Sequence, residues 1–260
     1  MPRAWGSSVL VVLAAIAAVG CAPALPPLTA GGATPRPTTA APVQLERAAP
    51  TATAPVALDG PIGPTGLFEP AAWPRACAVL DDTGLRTVLP GTGRIARKPR
   101  AGEMTVFGVG RASTVQVPEA SCDIGVELPD KDFDPAGGYN EYALTVEIRI
   151  AGTPEMVAQN RRDPSGDERP TVLDGTSCLS RSSAQELTCT TSRVEFSVRR
   201  GSIGIPNPID REAVIRYVHD GRTEVFRRDG GVPEVERRNR YETEVVLPEF
   251  ARVILRNLGS

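Results

Sequence analysis

Four carboxylates within twelve residues are the densest chemistry in the chain: Asp130, Asp132, Asp134 and then Glu141. Counted from Asp130 they fall at positions one, three, five and twelve, the spacing at which an EF-hand loop presents oxygen ligands to calcium. Position six is Pro135. That loop needs a glycine there, free to take positive φ, whereas proline is held near −65°. The run therefore reads as a solvated acidic loop between strands. The alternative is a looser site in which Asp130, Asp132, Asp134 and Glu141 converge on one calcium ion. No other cofactor is expected.

Nucleophilic chemistry has few candidates. A hydrolase needs a nucleophile with a base in reach, usually a histidine or lysine fixed by a third group. His219 is the single histidine, and Asp220-Gly221 directly after it places it beside a surface turn. The chain has no G-x-S-x-G, and neither lysine, Lys98 or Lys131, follows a serine at S-x-x-K spacing. Gly108-Val109-Gly110 is too short to cradle phosphates. No catalytic residue is assigned on this reading. Arginine pairs such as Arg199-Arg200 and Arg237-Arg238 have acidic residues nearby and read as solvated faces, with contacts to anionic envelope polymers as the alternative. Basic and acidic side chains number 29 and 31, a net charge of −2, with the signs interspersed. That balance argues against nucleic acid as a partner.

The cysteines point to an oxidising compartment. Cys21 stands apart, and the remaining four are Cys77, Cys122, Cys178 and Cys189. An even number in an exported chain reads as disulfides, and no C-x-x-C spacing suggests a thiolate metal site. Four cysteines admit three connectivities. The preferred one joins Cys77, in a first helix, to Cys122, at a strand, and lets Cys178–Cys189 close a small loop.

Export is written into the first twenty residues: Arg3, an apolar run from Val9 to Val19, and Gly20 before Cys21. That order is a secretory signal, and the run falls short of the roughly 20 apolar residues that a spanning helix needs. Ala18-Val19-Gly20-Cys21 resembles the bacterial lipobox, with Ala18 where leucine is usual. Residues 1–20 are then a lipoprotein signal peptide, cut before Cys21, and the lipidated cysteine holds the protein on the outer face of the cytoplasmic membrane. Two or more acyl chains hold a protein there stably.

The elements that would position any site come later in the chain. Residues 21–70 read as the lipidated cysteine followed by a disordered Pro/Ala/Thr-rich tether, because eleven prolines and five charged residues cannot build a core. Such sequence favours extended polyproline II. Residues 71–260 read as one extracytoplasmic domain. A short helix is expected over Cys77–Leu89, weakened by Gly84 and stopped by Pro90-Gly91. Strands are expected at Met104–Val109, Asp123–Leu128, Ala143–Ile150 and Arg193–Val198. Asp220-Gly221 suits a two-residue hairpin turn that would set Ile215 opposite Phe226 and Tyr217 opposite Glu224. Pro248 suits the first turn, and Gly259 the stop, of a closing helix with Phe250, Ala251, Ile254 and Leu258 on one stripe. The fold class is α+β: an antiparallel sheet with a short N-terminal and a C-terminal helix packed on it, and two disulfides.

Cys21 in a lipobox, a Pro/Thr-rich tether, and Cys77-Ala78-Val79-Leu80 leading to Leu85 and Val88-Leu89-Pro90-Gly91 together resemble a group of actinobacterial lipoproteins. Those carry a small extracytoplasmic domain of uncharacterised function, similar to the sensor domains of some mycobacterial receptor kinases. The resemblance covers the signal, the first fifty residues of the domain and its last dozen. It implies that Cys77 pairs with Cys122, just before the strand at Asp123-Ile124, and that Pro248–Leu258 is the closing helix. It implies a location and no chemistry.

The expected protein is a noncatalytic binding or sensing module, held to the membrane through its N-terminal lipid and recognising an envelope component or a membrane protein. An envelope-associated hydrolase and a calcium-stabilised wall-interaction domain are the alternatives. The calcium alternative requires that millimolar calcium raise the midpoint of thermal unfolding and that Asp132→Ala abolish the rise. An unchanged midpoint leaves the acidic run a solvated loop.

Overall fold

The computed structural model describes residues 42–108, 111–127, 141–161, 163–201, 214–227 and 231–259. The strands are β1 (Val43–Leu45), β2 (Ile95–Gly108), β3 (Arg111–Glu127), β4 (Glu141–Ala151), β5 (Glu168–Leu173), β6 (Thr176–Arg181), β7 (Glu186–Thr190), β8 (Val194–Arg200), β9 (Val214–His219) and β10 (Arg222–Arg227). The helices are α1 (Ala76–Val79), α2 (Asp82–Val88), α3 (Pro154–Asn160), α4 (Gly231–Tyr241) and α5 (Leu247–Asn257), with α4 and α5 joined by a π-helical turn over Glu242–Val246. The expected α+β class holds. Seven strands form an antiparallel sheet in the order β2-β3-β4-β8-β7-β6-β5, and three form a second sheet, β1-β9-β10.

Period-two alternation builds the apolar face of the larger sheet. Cys122 pairs with Val146, Val146 with Val198 and Val198 with Leu187, while the next row runs Ile148, Phe196, Cys189, Cys178. All of these side chains are buried. Onto this core pack the buried stripe of α5, including Phe250, Ala251, Ile254 and Leu255, and Val79, Leu85 and Val88 of α1 and α2. Burying a leucine, isoleucine or phenylalanine side chain is worth roughly 1.5–3 kcal/mol, so these rows carry much of the drive to fold.

Both disulfides form in the preferred pairing. Cys77–Cys122 ties α1 to β3, with the Cα atoms 5.0 Å apart. Cys178 and Cys189 face each other across β6 and β7, with Cα atoms 4.1 Å apart, so that bond closes a β-hairpin. Proline placement fits the ladder, because proline cannot donate to it and is confined to edges and bulges. Pro99 and Pro170 lie in the edge strands β2 and β5. Pro118 sits where the β2–β3 register slips between Arg100 and Gly102. The slip aims the next residue, Glu119, at α1. Its carboxylate accepts from the Cys77 N–H (2.7 Å) and from Arg75 Nε (3.0 Å).

The boundary expected at residue 71 lies earlier. Residues 43–70 are part of the folded body rather than tether. β1 pairs in parallel with β9, and Val43, Leu45, Ala48, Leu67 and Phe68 are buried. The proline-rich backbone between them finds hydrogen-bond partners elsewhere. The Asn257 side-chain carbonyl accepts from the N–H groups of Thr53 (2.9 Å) and Ala54 (3.1 Å), and Phe68 N–H donates to Ala151 O (3.0 Å). Low charge and many prolines exclude a helix here, not burial.

The helix expected over Cys77–Leu89 is two helices, broken at Leu80-Asp81. Asp81 caps α2, its Oδ1 accepting from Gly84 N–H (3.0 Å) and from the Thr53 hydroxyl (2.7 Å). Gly84 serves packing: a Cβ there would lie 2.3 Å from Val253 Cγ1 of α5. Gly84→Ala should therefore destabilise the protein by about 1–3 kcal/mol from overpacking, outweighing a gain of under about 1 kcal/mol in helix propensity. Urea midpoints of the two proteins test this. An unchanged or raised midpoint would mean that α2 and α5 have room for the methyl group.

Candidate functional site

The hairpin β9–β10 turns at Asp220-Gly221, with φ of 50° and 72°, and its register sets Ile215 opposite Phe226 and Tyr217 opposite Glu224, as the turn chemistry required. His219 does not lie on a surface turn. It closes β9, pairs with Leu45 of β1 and Arg222 of β10, and its side chain is 17% exposed. The turn itself is held by Arg47, whose Nε and Nη2 reach the Asp220 carboxylate at 3.2 and 2.8 Å. This hydrogen-bonded pairing holds the Asp220 carboxyl below its usual value and raises Arg47.

The imidazole lines a cavity of about 530 Å³. One wall is the β5–β6–β7 surface, through Thr171, Leu173, Ser180 and Leu187, and the opposite wall is the π-helical turn and the first turns of α5. The segment after β1, Arg47-Ala48, completes the rim. Sites for small ligands fall at about 300–1,000 Å³, mostly apolar with a few placed polar groups. Here Leu173, Leu187, Val245 and Pro248 supply the apolar part.

Glu249 is the deepest charge, with 5% of its side chain exposed. Its Oε2 accepts from Ala48 N–H at 2.9 Å, and its Oε1 lies 2.5 Å from Arg252 Nη1. His219 Nε2 is 3.9 Å from the same Oε1, beyond hydrogen-bond range, and this buried nitrogen has no hydrogen-bond partner among the described residues. Arg252 and Arg256 also reach Asp174, at 3.4 and 3.1 Å. Asp174 and Gly175, with φ of 49° and 85°, turn the chain between β5 and β6. This is a second Asp-Gly hairpin turn, and the dipeptide that marks Asp220-Gly221 in the sequence is the signal that could have found it.

Behind the cavity the π-helical turn buries Glu242 and Thr243 side by side. Glu242 is fully buried and gathers partners from four directions: Arg200 Nη1 of β8 at 2.5 Å to both carboxylate oxygens, the Tyr217 hydroxyl of β9 at 2.9 Å, the Gln185 side-chain amide between β6 and β7, and Arg238 Nε of α4 at 3.9 Å. A π-turn inserts one residue into a helix and is frequent at functional sites. The shift lets Glu242 face this clasp while Thr243, Glu244 and Val245 reach the cavity.

The disulfide cysteines Cys77, Cys122, Cys178 and Cys189 form structural links and do not line the cavity. Cys21, Asp130, Asp132 and Asp134 lie outside the described residues, and Glu141 begins β4 opposite Glu127. Among the described residues, no group of three or more His, Cys, Asp or Glu side chains is arranged to hold a metal. No helix among them is long and apolar enough to cross a membrane. No family model, curated protein or solved structure matches the chain.

Removing one member of a buried ion pair strands the other and costs about 3–5 kcal/mol. Glu242→Ala should lower stability by about that amount, and the double variant Arg200→Met, Glu242→Leu should recover only part of it, because the Tyr217 hydroxyl, the Gln185 amide and Arg238 still lose their partner. Urea unfolding of all three proteins checks both statements. Equal stability of Glu242→Ala and the parent would show that the clasp does not hold the fold together.

Proposed function

We propose that the protein is a noncatalytic binding or sensing module, anchored by lipid at Cys21 on the outer face of the cytoplasmic membrane, whose ligand site is the cavity beside His219 and Glu249. The observation that carries this reading is a partly apolar cavity of ligand size lined by His219, whose buried Nε2 has no partner among the described residues. Buried polar groups are normally satisfied, so such a nitrogen invites a ligand's polar atom. The signal segment, the lipobox and the two disulfides support an extracytoplasmic location. An envelope component or a neighbouring membrane protein is the partner class this location supplies.

The second reading, an envelope hydrolase, is favoured by the same His219–Glu249 juxtaposition, since an imidazole near a carboxylate is the base of many hydrolases. It needs a nucleophile in reach of the imidazole. Of the hydroxyls lining this cavity, those of Ser180 and Thr243 donate to the main-chain carbonyls of Arg169 (3.2 Å) and Asn239 (2.8 Å), which leaves Thr171 as the nucleophile this reading would need. That engagement favours binding over turnover.

Two measurements test the proposal. Cys21→Ala should move the protein from the membrane fraction to the soluble extracytoplasmic fraction, and retention with unchanged detergent extraction would refute the lipid anchor. Thermal unfolding with envelope glycans and lipid head groups should show a raised midpoint for one class, worth about 2.7 kcal/mol at a hundred times its dissociation constant. His219→Ala should abolish that rise. Steady turnover of an ester or glycoside substrate that His219→Ala abolishes would establish the hydrolase instead.

A further inference from the structure

The chemistry of the cavity narrows its occupant to one ligand class, an inference that rests on the cavity being a binding site. The cations on its lining are already engaged. Arg47 holds Asp220 with two hydrogen bonds, Arg252 contacts Glu249 and Asp174, and Arg256 contacts Asp174. An anionic ligand would have to displace carboxylates from these pairs while standing beside Glu244 and the buried Glu249. A cationic ligand would have to take Glu249 and Asp174 from their arginines. Three arginines and the carboxylates of Asp174, Glu244 and Glu249 leave the lining close to neutral.

The unmet need is a small one. His219 Nε2 and Glu249 Oε1 are 3.9 Å apart. That is too long for a hydrogen bond between them, yet one oxygen at about 2.8 Å from each can bridge the two. With the proton of the neutral imidazole on Nε2, the bridging group must donate to the carboxylate and accept from that N–H. Among uncharged groups a hydroxyl does both from a single atom, and a ligand hydroxyl can displace a bridging water at little cost because it reproduces the water's hydrogen bonds. Further along, Thr171 and Ser180 add hydroxyls to one wall, while Leu173, Leu187 and Pro248 offer apolar surface to C–H groups.

We propose that the cavity binds a neutral polyhydroxylated ligand, a saccharide unit of one or two rings, with one ring hydroxyl seated between His219 Nε2 and Glu249 Oε1. Charge-balanced walls exclude competing ions, the His219–Glu249 gap sets the orientation of the ring, and the apolar patch takes its C–H face.

The test uses the exported chain, with calorimetry and ligand-observed NMR against three sets of probes. Glucose, mannose, N-acetylglucosamine, maltose and trehalose are the neutral set, inorganic phosphate and glutarate the anions, and glycylglycine the zwitterion. At least one neutral saccharide should bind and the ions should not. His219→Phe fills the imidazole's space without its nitrogens and should weaken that saccharide about tenfold or more, as expected for a lost hydrogen bond in a charge-assisted bridge. His219→Gln, which keeps a donor, should recover part of the loss. Should His219→Phe fail to fold, as judged by its thermal unfolding, Ser180→Ala tests the adjoining wall by the same loss of affinity. Binding of phosphate, glutarate or glycylglycine at this cavity in place of the saccharides overturns the neutral-ligand proposal and leaves the binding site standing. Absence of binding by every probe overturns the saccharide proposal, while the binding-module reading then stands or falls on the lipid-head-group measurement above.

Discussion

Glu242 is a carboxylate with no solvent exposure, and a lone charge in such a place would cost several kcal/mol in desolvation. The fold meets that cost by bringing Arg200, Tyr217 and Gln185 to it from three separate strands or turns. Because those partners come from both sheets, the requirement that Glu242 be satisfied fixes how the three-stranded sheet, the larger sheet and the C-terminal helices meet. Hydrophobic burial alone sets no such register, since apolar contacts are non-directional. Glu249, seven residues on, faces the cavity with Ala48 and Arg252 as partners. Two buried carboxylates on one helical stretch thus perform different tasks: one locks the assembly, and the other is left within reach of the cavity.

The parts of the fold that are legible in the sequence are those whose information is local. Strict alternation over Leu144, Val146, Ile148 and Ile150 gives β4, Asp220-Gly221 gives the hairpin and its register, and the Pro248-to-Gly259 frame with its apolar stripe gives α5. β1 is hidden because it is three residues long and pairs in parallel with a strand more than 170 residues away. β5 and β6 are hidden because Glu168–Leu173 and Thr176–Arg181 mix polar and apolar residues on both faces, so no period appears. The π-helical turn has no sequence signature, since it follows from where Glu242 must point.

The site is harder to read than the fold for the same reason. His219 looks like a turn residue from its neighbour Asp220-Gly221, yet it is the last residue of β9, paired on both sides. Its place in a cavity comes from Glu249 of α5, thirty residues on, together with Ala48 from the segment whose composition suggests a tether. Cysteine pairing, by contrast, is narrowed because four cysteines leave only three connectivities, the short separation of Cys178 and Cys189 favours a small loop, and the resemblance pairs Cys77 with Cys122; the cross-strand character of Cys178–Cys189 appears only in the structure.

The route by which the chain enters the folded body has a mechanical consequence. β1 is the first element among the described residues, only three residues long, and Glu46 separates it from Arg47 and Ala48 at the cavity rim. Tension applied from the N-terminal side therefore loads the β1–β9 ladder first, then the hydrogen bond from Glu46 N–H to Val88 O, and then the contact between Ala48 N–H and Glu249. A pull strong enough to peel three residues from an edge opens the rim before it disturbs the disulfide-linked core. The same pull strains the rim segment that holds Ala48 against Glu249, which couples stretch of the leading chain to the shape of the cavity.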